Sequence, residues 1–179
     1  MASLALTGTP GTGKTSVARQ FVRSARVAEV ADLAERFGAG RRTVTGWVVD
    51  MEAVCRAWRR SPTPPADVVV GHLAHLLPLR DVVVLRCHPR ELARRLGRGR
   101  KGSDRERRDN LVAEATDAIL LEAVGLRRRV WEIDTTQRSV RSVADEVIRR
   151  FRERGPPSYG EVDWLSDRWV GEHLLDWSP

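Results

Sequence analysis

The sequence has only two cysteines, Cys55 and Cys87, and no uninterrupted apolar run that approaches the roughly 20 residues needed to span a bilayer. Two thiols exclude a disulfide framework and a cysteine-rich zinc site. The first residues also lack the basic region and apolar stretch of a secretory signal. We therefore expect a cytoplasmic protein with reduced thiols and no contact with a membrane.

Lysine is scarce as well, because Lys14 and Lys101 are the only two and the remaining basic residues are arginine. Lys and Arg total 31 against 24 Asp and Glu, so the net charge of +7 excludes an acidic, halophilic surface. The excess of arginine is compatible with nucleic-acid contact, with a site for phosphate-rich ligands, or with a GC-rich genome. A chain of 179 residues that is 41% hydrophobic has the size and composition of one folded domain.

Short apolar runs alternate with helical patterns along the chain. The runs predict strands at 3–7, 27–30, 68–70, 81–86 and 130–133. The helical patterns fall at 14–24, 32–37, 50–60, 89–96, 110–124 and 140–154. Residues 38–49 indicate an irregular insertion or a short hairpin. This alternation predicts an α/β fold with a largely parallel sheet over residues 1–154, followed by a Trp-rich tail over 155–179.

The segment GTPGTGKT at 8–15 matches the phosphate-binding pattern G-x-x-x-x-G-K-[ST] without a mismatch, between a predicted strand and a predicted helix. Its glycines allow backbone N–H groups to converge on phosphate oxygens, and the helix N-terminus favours negative charge. We predict that Lys14 contacts the β- and γ-phosphates and acts in catalysis, and that Thr15 binds Mg²⁺. The nucleotide-binding residues predicted in this loop are Gly11, Thr12, Gly13, Lys14, Thr15 and Ser16.

A basic, glycine-containing segment, GRGRKGSDRERR at 97–108, lies between two predicted helices. Such a segment is typical of a lid that closes over phosphates, where arginine makes bidentate contacts to phosphoryl oxygens. The alternatives are a solvated basic turn and a patch that contacts RNA.

Two histidines, His72 and His75, follow the predicted strand at 68–70. In parallel α/β sheets ligands bind beyond the carboxyl ends of the strands, so both histidines lie near the expected site. We favour His72, which is nearer the strand end, as the functional residue, against the alternative that each is structural. No cysteine or carboxylate nearby completes a zinc site.

Taken together, the motifs resemble the isoenzyme-six family of adenylate kinases, small P-loop kinases and ATPases of archaea and eukaryotes linked to small ribosomal subunit maturation. The resemblance covers nearly the whole chain. The segments that carry it are GTPGTGKT at 8–15, ADLAERFG at 31–38, VVD at 48–50, VVVGHLAHLL at 68–77, RLGRGR at 95–100, DNLVAEATDAILLEA at 109–123, EIDTT at 132–136 and VDW at 162–164.

This resemblance implies a five-stranded parallel sheet, a monophosphate-binding region at 31–60, a short lid at 97–108, and the reaction ATP + AMP = 2 ADP with Mg²⁺, together with ATPase activity. It implies that the P-loop holds ATP and that Arg98 acts in catalysis from the lid. It further implies an AMP site formed by Asp32, Arg36 and His72, and an adenine pocket bordered by Thr135.

One position departs from the family pattern, in which an acidic residue precedes the Gly-His pair. Val70 occupies that place here. A carboxylate at a strand end normally anchors the hydration shell of Mg²⁺. In its absence we expect Mg²⁺ to bind through Thr15, the phosphates and water, or through Asp50. We therefore expect the rate of catalysis to be affected more than the binding of ATP.

The tail combines Tyr159, Trp164, Trp169 and Trp177 with acidic residues. We expect these aromatic rings to pack back on the domain. The alternative is an interface for a basic partner, since Trp and Tyr are favoured interface anchors. The family resemblance implies a basic small-subunit ribosomal protein as that partner.

Three other functions remain open beside an AMP kinase. The first is an ATP-dependent assembly factor for ribosomes with little kinase activity. The second is a small-metabolite P-loop kinase that phosphorylates a hydroxyl group. The third, a basic RNA-binding module without catalysis, leaves the intact P-loop unexplained.

Overall fold

The computed structural model describes residues 3–43, 46–97 and 103–175. Its strands are β1 (Leu4–Thr7), β2 (Val27–Glu29), β3 (Gly40–Thr43), β4 (Gly46–Val49), β5 (Val68–Val70), β6 (Asp81–Arg86) and β7 (Arg129–Asp134). Its α-helices are α1 (Lys14–Ala18), α2 (Val30–Arg36), α3 (Met51–Arg60), α4 (Pro89–Gly97), α5 (Asp104–Ala115), α6 (Ala118–Gly125), α7 (Val140–Glu153) and α8 (Arg168–Val170). No helix in these ranges is long and apolar enough to cross a membrane.

The central sheet consists of five parallel strands in the order β2-β5-β1-β6-β7. Parallel neighbours need crossover connections, which the helices supply on both faces of the sheet. The predicted α/β fold with a five-stranded parallel sheet is therefore confirmed. Strands β3 and β4 pair antiparallel outside this sheet, so the segment 38–49 contains the short hairpin that was one of its two predicted structures.

Side chains that alternate along the strands build a core on both faces of the sheet. In β1, Leu4 and Leu6 pack with the layer of α1 and α7, whereas Ala5 packs with the layer of α2, α3 and α6. All three are at most 1% exposed. Because β1 is buried on both faces, its carboxyl end holds the following loop against a rigid support.

Helix α1 is shorter than the prediction of 14–24, because it ends at Ala18. The chain then continues in turns, where the N–H groups of Gln20, Phe21 and Ser24 each donate to the carbonyl three residues earlier. These tighter bonds bring Phe21, which is 3% exposed, into the core.

The single helix predicted over 110–124 is divided into α5 and α6. Asp117 lies between them in the left-handed region, with φ of 57°. The buried guanidinium of Arg86 donates from Nη2 to the carbonyl oxygen of Glu114 at 2.9 Å and to the carboxylate of Asp117. This tertiary contact stabilises the break, which no glycine or proline in the sequence indicates.

Helix α5 begins at Asp104, six residues before the predicted start at Asn110. Ser103 and Glu106 form a reciprocal capping box at its N-terminus. Residues 104–108 of the predicted lid are therefore helical, while residues 98–102 lie outside the described residues. The predicted catalytic Arg98 lies among the latter.

The tail contacts the domain at several places, the last of them at α5, where Val170 and Leu174 pack against Ala115. Near Ser158 it pairs with β7, since the Ser158 N–H donates to Val130 O at 3.0 Å and Trp131 Nε1 donates to Pro156 O at 2.9 Å. Further on, the Trp164 ring meets the His88 ring edge-to-face at 4.9 Å between centroids. Trp164 of the tail therefore contacts His88, the residue that precedes α4.

Candidate functional site

The phosphate loop follows β1 directly and has the backbone conformation that its glycines allow. Gly8, Gly11 and Gly13 have φ of 133°, 99° and 99°. A Cβ atom at Gly8 would lie 2.3 Å from the backbone oxygen of Leu85 on β6. The loop thus approaches the neighbouring strand more closely than any other residue would permit.

Lys14 lies inside this loop and is 9% exposed. Its ammonium group donates to the carbonyl oxygens of Gly8 at 2.7 Å and Thr9 at 2.8 Å. The Thr12 hydroxyl also donates to Thr9 O, at 2.9 Å, and so fixes the turn. The result is a preorganised positive charge at the carboxyl end of the sheet.

A cavity of about 660 Å³ opens above this loop. Among its lining residues are all six predicted nucleotide-binding residues, Gly11, Thr12, Gly13, Lys14, Thr15 and Ser16. Thr135 and His72, predicted for the adenine pocket and the AMP site, line it as well. Thr15 and Ser16 are exposed, so their hydroxyl groups are accessible to a ligand.

Thr135 connects the end of β7 to the phosphate loop. Its hydroxyl lies 3.1 Å from Thr12 O and 2.7 Å from Arg86 O. The same hydroxyl oxygen accepts from Arg95 Nη1 at 3.2 Å, and Arg95 Nη2 donates to Thr135 O at 3.0 Å. Thr135 therefore positions both the loop backbone and an arginine of α4 at the cavity wall.

Helix α4 presents Glu91, Arg94 and Arg95 to the cavity. Glu91 accepts hydrogen bonds from Arg94 Nη2 at 2.6 Å and Arg95 Nε at 2.9 Å. The hydrogen bond from Arg94 lowers the pKa of Glu91 to about 2, with a further contribution from Arg95, although burial alone would raise this pKa. Glu91 is therefore ionised at neutral pH and orients two arginines at the edge of the site.

A further arginine, Arg138, enters the cavity from the loop after β7. Its guanidinium donates to Glu146 at 2.7 Å and to the Ser142 hydroxyl at 3.0 Å. Although burial opposes the charge, the contacts with Arg138 and then Arg150 hold the pKa of Glu146 below its ordinary value. Arg138 is thus fixed by α7, with its charge close to the ligand.

The two histidines after β5 occupy different environments. His72 faces the cavity, and desolvation by the surrounding protein, with the positive charge of Lys14, lowers its pKa. His75 is fully buried, with Nδ1 3.0 Å from the Thr7 hydroxyl and Nε2 2.8 Å from Glu122. His75 therefore has a structural contact on each ring nitrogen, while His72 is accessible to a ligand.

Asp32 and Arg36, both predicted for the AMP site, are exposed on α2 and do not line this cavity. Asp32 accepts from the Glu29 N–H at 3.3 Å as part of the cap of α2. Asp50 likewise caps α3, where its carboxylate accepts from Ala53 N at 2.9 Å. These carboxylates have local roles at helix N-termini.

Several cavity residues were not predicted from the sequence. Glu29 at the end of β2 lines the cavity, and in the sheet it lies beside Val70 of the neighbouring strand β5. Arg138 was also missed, as were the roles of Glu91 and Arg94. The rule that ligands bind at the carboxyl ends of parallel strands, applied to β2 and β7, would have drawn attention to Glu29 and Arg138.

A buried ionic network around Arg86, the last residue of β6, lies next to the phosphate loop. Arg86, 2% exposed, donates to Glu114 at 2.8 Å and also contacts Glu132. The other oxygen of Glu132 accepts from the Gly160 N–H at 2.8 Å, which joins the tail to the network. The network therefore connects β6, β7, α5 and the tail next to the phosphate loop.

Sequence comparisons identify relatives over nearly the whole chain. The AAA domain family matches residues 4–117. A protein of Archaeoglobus fulgidus named "Putative adenylate kinase" is 41% identical over 172 residues, which cover 92% of each chain. The chain belongs to the same P-loop family as this archaeal protein. A member of that family with the same name, from Thermococcus onnurineus, is 34% identical over 166 residues, again 92% of each chain.

Two solved structures have the same fold as this chain. Shikimate kinase from Acinetobacter baumannii, in complex with shikimate, superposes with a TM-score of 0.57 at 15% identity, covering 86% of this chain and 94% of the other. An uncharacterized protein from Eubacterium ventriosum has the same TM-score at 13% identity, covering 86% and 100%. At such identities the likeness establishes the fold and leaves the substrate open.

Proposed function

We propose that this protein is an adenylate kinase of the isoenzyme-six type, which transfers the γ-phosphoryl group of ATP to AMP and forms two molecules of ADP. The observation that carries the proposal is the cavity above the phosphate loop, where Lys14 meets Arg94, Arg95 and Arg138. The name of the archaeal relatives supports AMP as the acceptor.

Phosphoryl transfer depends mainly on alignment and charge neutralisation, because the protein contributes little covalent chemistry. Lys14 would hold the β- and γ-phosphates, and the arginines would stabilise the charge that develops on the transferred group. Arg95 is oriented by Glu91 and Thr135, and Arg138 by Glu146. Such fixed donors need little reorganisation during the reaction. Arg98 remains our candidate for a catalytic arginine from the lid.

The residues at the loop fit a magnesium nucleotide. Thr15 has an exposed hydroxyl, and Glu29 provides a carboxylate that lines the same cavity. In the described part of the chain no group of three His, Cys, Asp or Glu side chains could hold a metal by itself. Mg²⁺ would therefore be held by Thr15 and the phosphates, with Glu29 ordering its water and neutralising charge.

On the acceptor side we retain His72 beside AMP. Its lowered pKa keeps the imidazole neutral at neutral pH, so it can donate one hydrogen bond and accept another. Arg36 stays a candidate for the AMP phosphate from α2. Asp32 would act indirectly, since its carboxylate caps the helix that carries Arg36.

A second candidate function is an ATPase-driven assembly factor for the small ribosomal subunit, acting in the cytoplasm. Val70 in place of a carboxylate favours it, because weak metal anchoring suits slow turnover. In this function the acidic tail would bind a basic ribosomal protein, and arginines would contact RNA directly. Both activities are compatible with one P-loop cavity. A hydroxyl acceptor, as in a small-metabolite kinase, is the third candidate.

An acceptor panel tests the proposal. Purified protein with Mg-ATP is given AMP, CMP, GMP, UMP or a small alcohol such as shikimate, and ADP and phosphorylated acceptor are measured by chromatography. We expect AMP to give two ADP per AMP consumed, and Lys14→Ala to abolish this product. Phosphorylation of the alcohol without response to AMP, or phosphate release alone, would reject the kinase assignment.

A further inference from the structure

The edge of the sheet opposite the nucleotide cavity is strongly basic. The register aligns the first residues of the five parallel strands, so the residues just before them lie together. Arg80 precedes β6, and Arg127 and Arg128 precede β7. The end of α7 reaches the same edge, since Arg129 Nη1 donates to Arg154 O at 3.4 Å. We define Arg80, Arg127, Arg128, Arg152 and Arg154 as the basic edge.

The carboxylates near this edge are already paired with other arginines. Asp67 pairs with Arg26, Asp81 with Arg129, and Glu153 with Arg149. Among the described residues, no carboxylate lies within salt-bridge distance of a basic-edge arginine. Four of these five arginines are exposed, and Arg128 is half-buried. The positive charge of the basic-edge arginines is therefore unpaired. The one carboxylate in the described part of the chain that lines the neighbouring groove, Asp67, is already bound to Arg26.

A groove of about 410 Å³ opens at this edge between the turn after α1, the starts of β1 and β5, and α7. Its walls include Phe21, Phe151 and Ile148, and Arg152 and Arg154 border it. The Arg154 guanidinium lies 5.9 Å from the centroid of the Phe151 ring. An apolar recess with aromatic walls thus lies directly beside unpaired positive charge.

We propose that the basic edge and this groove bind single-stranded nucleic acid. Guanidinium groups match phosphate geometry in bidentate contacts, so the five arginines would follow the backbone. Unpaired bases stack on aromatic side chains and on arginine planes, and the groove beside Phe151 takes one such base. A duplex would offer its phosphates while its bases remain paired, and it would leave the groove unused.

The shape of the surface favours this ligand over other polyanions. An anionic membrane is bound best by apolar side chains that protrude, whereas Phe21 is 3% exposed and forms part of a recess. An acidic peptide can neutralise arginines, but its carboxylates offer no flat ring for the groove. Arg80 and Arg128 precede neighbouring strands, so their side chains start from adjacent positions at this edge and can contact the same strand of nucleic acid.

This site is independent of the kinase proposal, because it lies at the amino ends of the strands and ATP binds at the carboxyl ends. Nucleic acid and nucleotide can therefore be bound together. We expect saturating Mg-ATP to leave nucleic-acid affinity unchanged, so failure of either proposal would be visible separately.

The test uses fluorescence anisotropy with labelled 12-nucleotide single strands of RNA and DNA, each of mixed sequence, between 50 and 200 mM KCl. Arg152→Glu/Arg154→Glu removes two contacts beside the groove. Arg41→Glu/Arg42→Glu makes the same charge change on β3 of the separate hairpin, where both arginines are exposed. We expect the first variant to lose at least tenfold in affinity. Its salt slope should fall by about 1.4, at about 0.7 per phosphate contact for single strands.

A second variant, Phe151→Leu, keeps an apolar side chain while removing the ring. It should weaken binding of the single strands and leave binding of inorganic polyphosphate unchanged. Thermal unfolding of each variant verifies that it is folded. A stronger effect on RNA assigns RNA as the ligand, and an equal effect assigns either strand type; both outcomes support the site.

Three outcomes would overturn the proposal. The first is an equal loss of affinity in the two double-arginine variants, which would indicate diffuse charge. The second is tighter binding of poly-glutamate or of phosphatidylserine vesicles than of single strands. The third is no measurable binding of the folded wild-type protein to either strand at 50 mM KCl.

Discussion

Glu29 on β2 and Val70 on β5 occupy paired positions on neighbouring parallel strands, both at the end of the sheet that carries the phosphate loop. The sequence resemblance implies a carboxylate at the position of Val70, and Glu29 provides a carboxylate one strand away. Glu29 lines the nucleotide cavity. A shift of one strand moves the acidic group by about 4.8 Å, a distance that a hydrated Mg²⁺ can bridge.

The first prediction follows from this pair. Glu29→Gln should raise the Mg²⁺ concentration needed for half-maximal ADP formation several-fold, because the charge that orders the metal's water is lost. Glutamine keeps the oxygen that caps α2, so the fold should be unaffected. Glu35→Gln, an exposed change on α2, the helix that follows Glu29, is the control. An unchanged Mg²⁺ requirement in Glu29→Gln would show that Thr15 and the phosphates hold the metal without it.

The second prediction concerns the close approach of the phosphate loop to β6. Gly8→Ala introduces a Cβ atom 2.3 Å from Leu85 O at φ of 133°. The loop must move, and we expect ATP affinity, measured by isothermal titration calorimetry, to fall at least tenfold, about 1.4 kcal/mol. Gly125→Ala, with no atom within 4 Å of its Cβ, should bind ATP normally. Normal ATP binding by Gly8→Ala would contradict this loop geometry.

The third prediction concerns the buried network around Arg86. Glu114→Ala leaves the guanidinium without its main partner, so the free energy of unfolding should fall by about 3–5 kcal/mol. Glu153→Ala removes an exposed partner of Arg149 and should cost at most about 1 kcal/mol. Urea unfolding monitored by circular dichroism measures both. Similar losses in the two variants would mean that the network contributes no more than a surface pair.

The fourth prediction is a pH dependence at the cavity edge. Glu91 has a pKa of about 2, against an ordinary value of 4.5, because Arg94 and Arg95 bind its ionised form. Its contribution to stability is present above pH 4.5 and is lost as the pH falls towards 2. The melting temperature of wild type should therefore exceed that of Glu91→Gln at pH 7, and the difference should shrink as the pH falls below 4.5. A difference that is constant from pH 7 to 3 would contradict this assignment.

The parts of the fold that were predictable from sequence are those fixed by local pattern. The apolar runs at β1, β5 and β6 gave strands within a residue of their observed bounds, and Gly8 to Thr15 identified the loop. The break at Asp117 was not predictable, because it depends on Arg86, which comes from another strand about thirty residues earlier in the chain. The early end of α1 likewise depends on burial of Phe21 in the core.

The same division holds for the site. Lys14 and Thr15 follow from a contiguous motif, whereas Glu29, Glu91 and Arg138 reach the cavity from three other elements. These three residues meet at the cavity because of the order of the strands in the sheet, which no single segment of the sequence reveals. Of the two histidines after β5, His72 lines the cavity and His75 is held by Glu122. The functional role of His72 stays a prediction.

Phosphoryl transfer to AMP is measured most directly by following the γ-phosphoryl group itself. Protein in excess over γ-³²P-labelled Mg-ATP is mixed with unlabelled AMP, quenched within one turnover, and the products are separated. We expect label in ADP, formed from AMP, and none of this product with Lys14→Ala. Label found only in inorganic phosphate, in an amount that AMP does not change, would reject the kinase activity and indicate an ATPase.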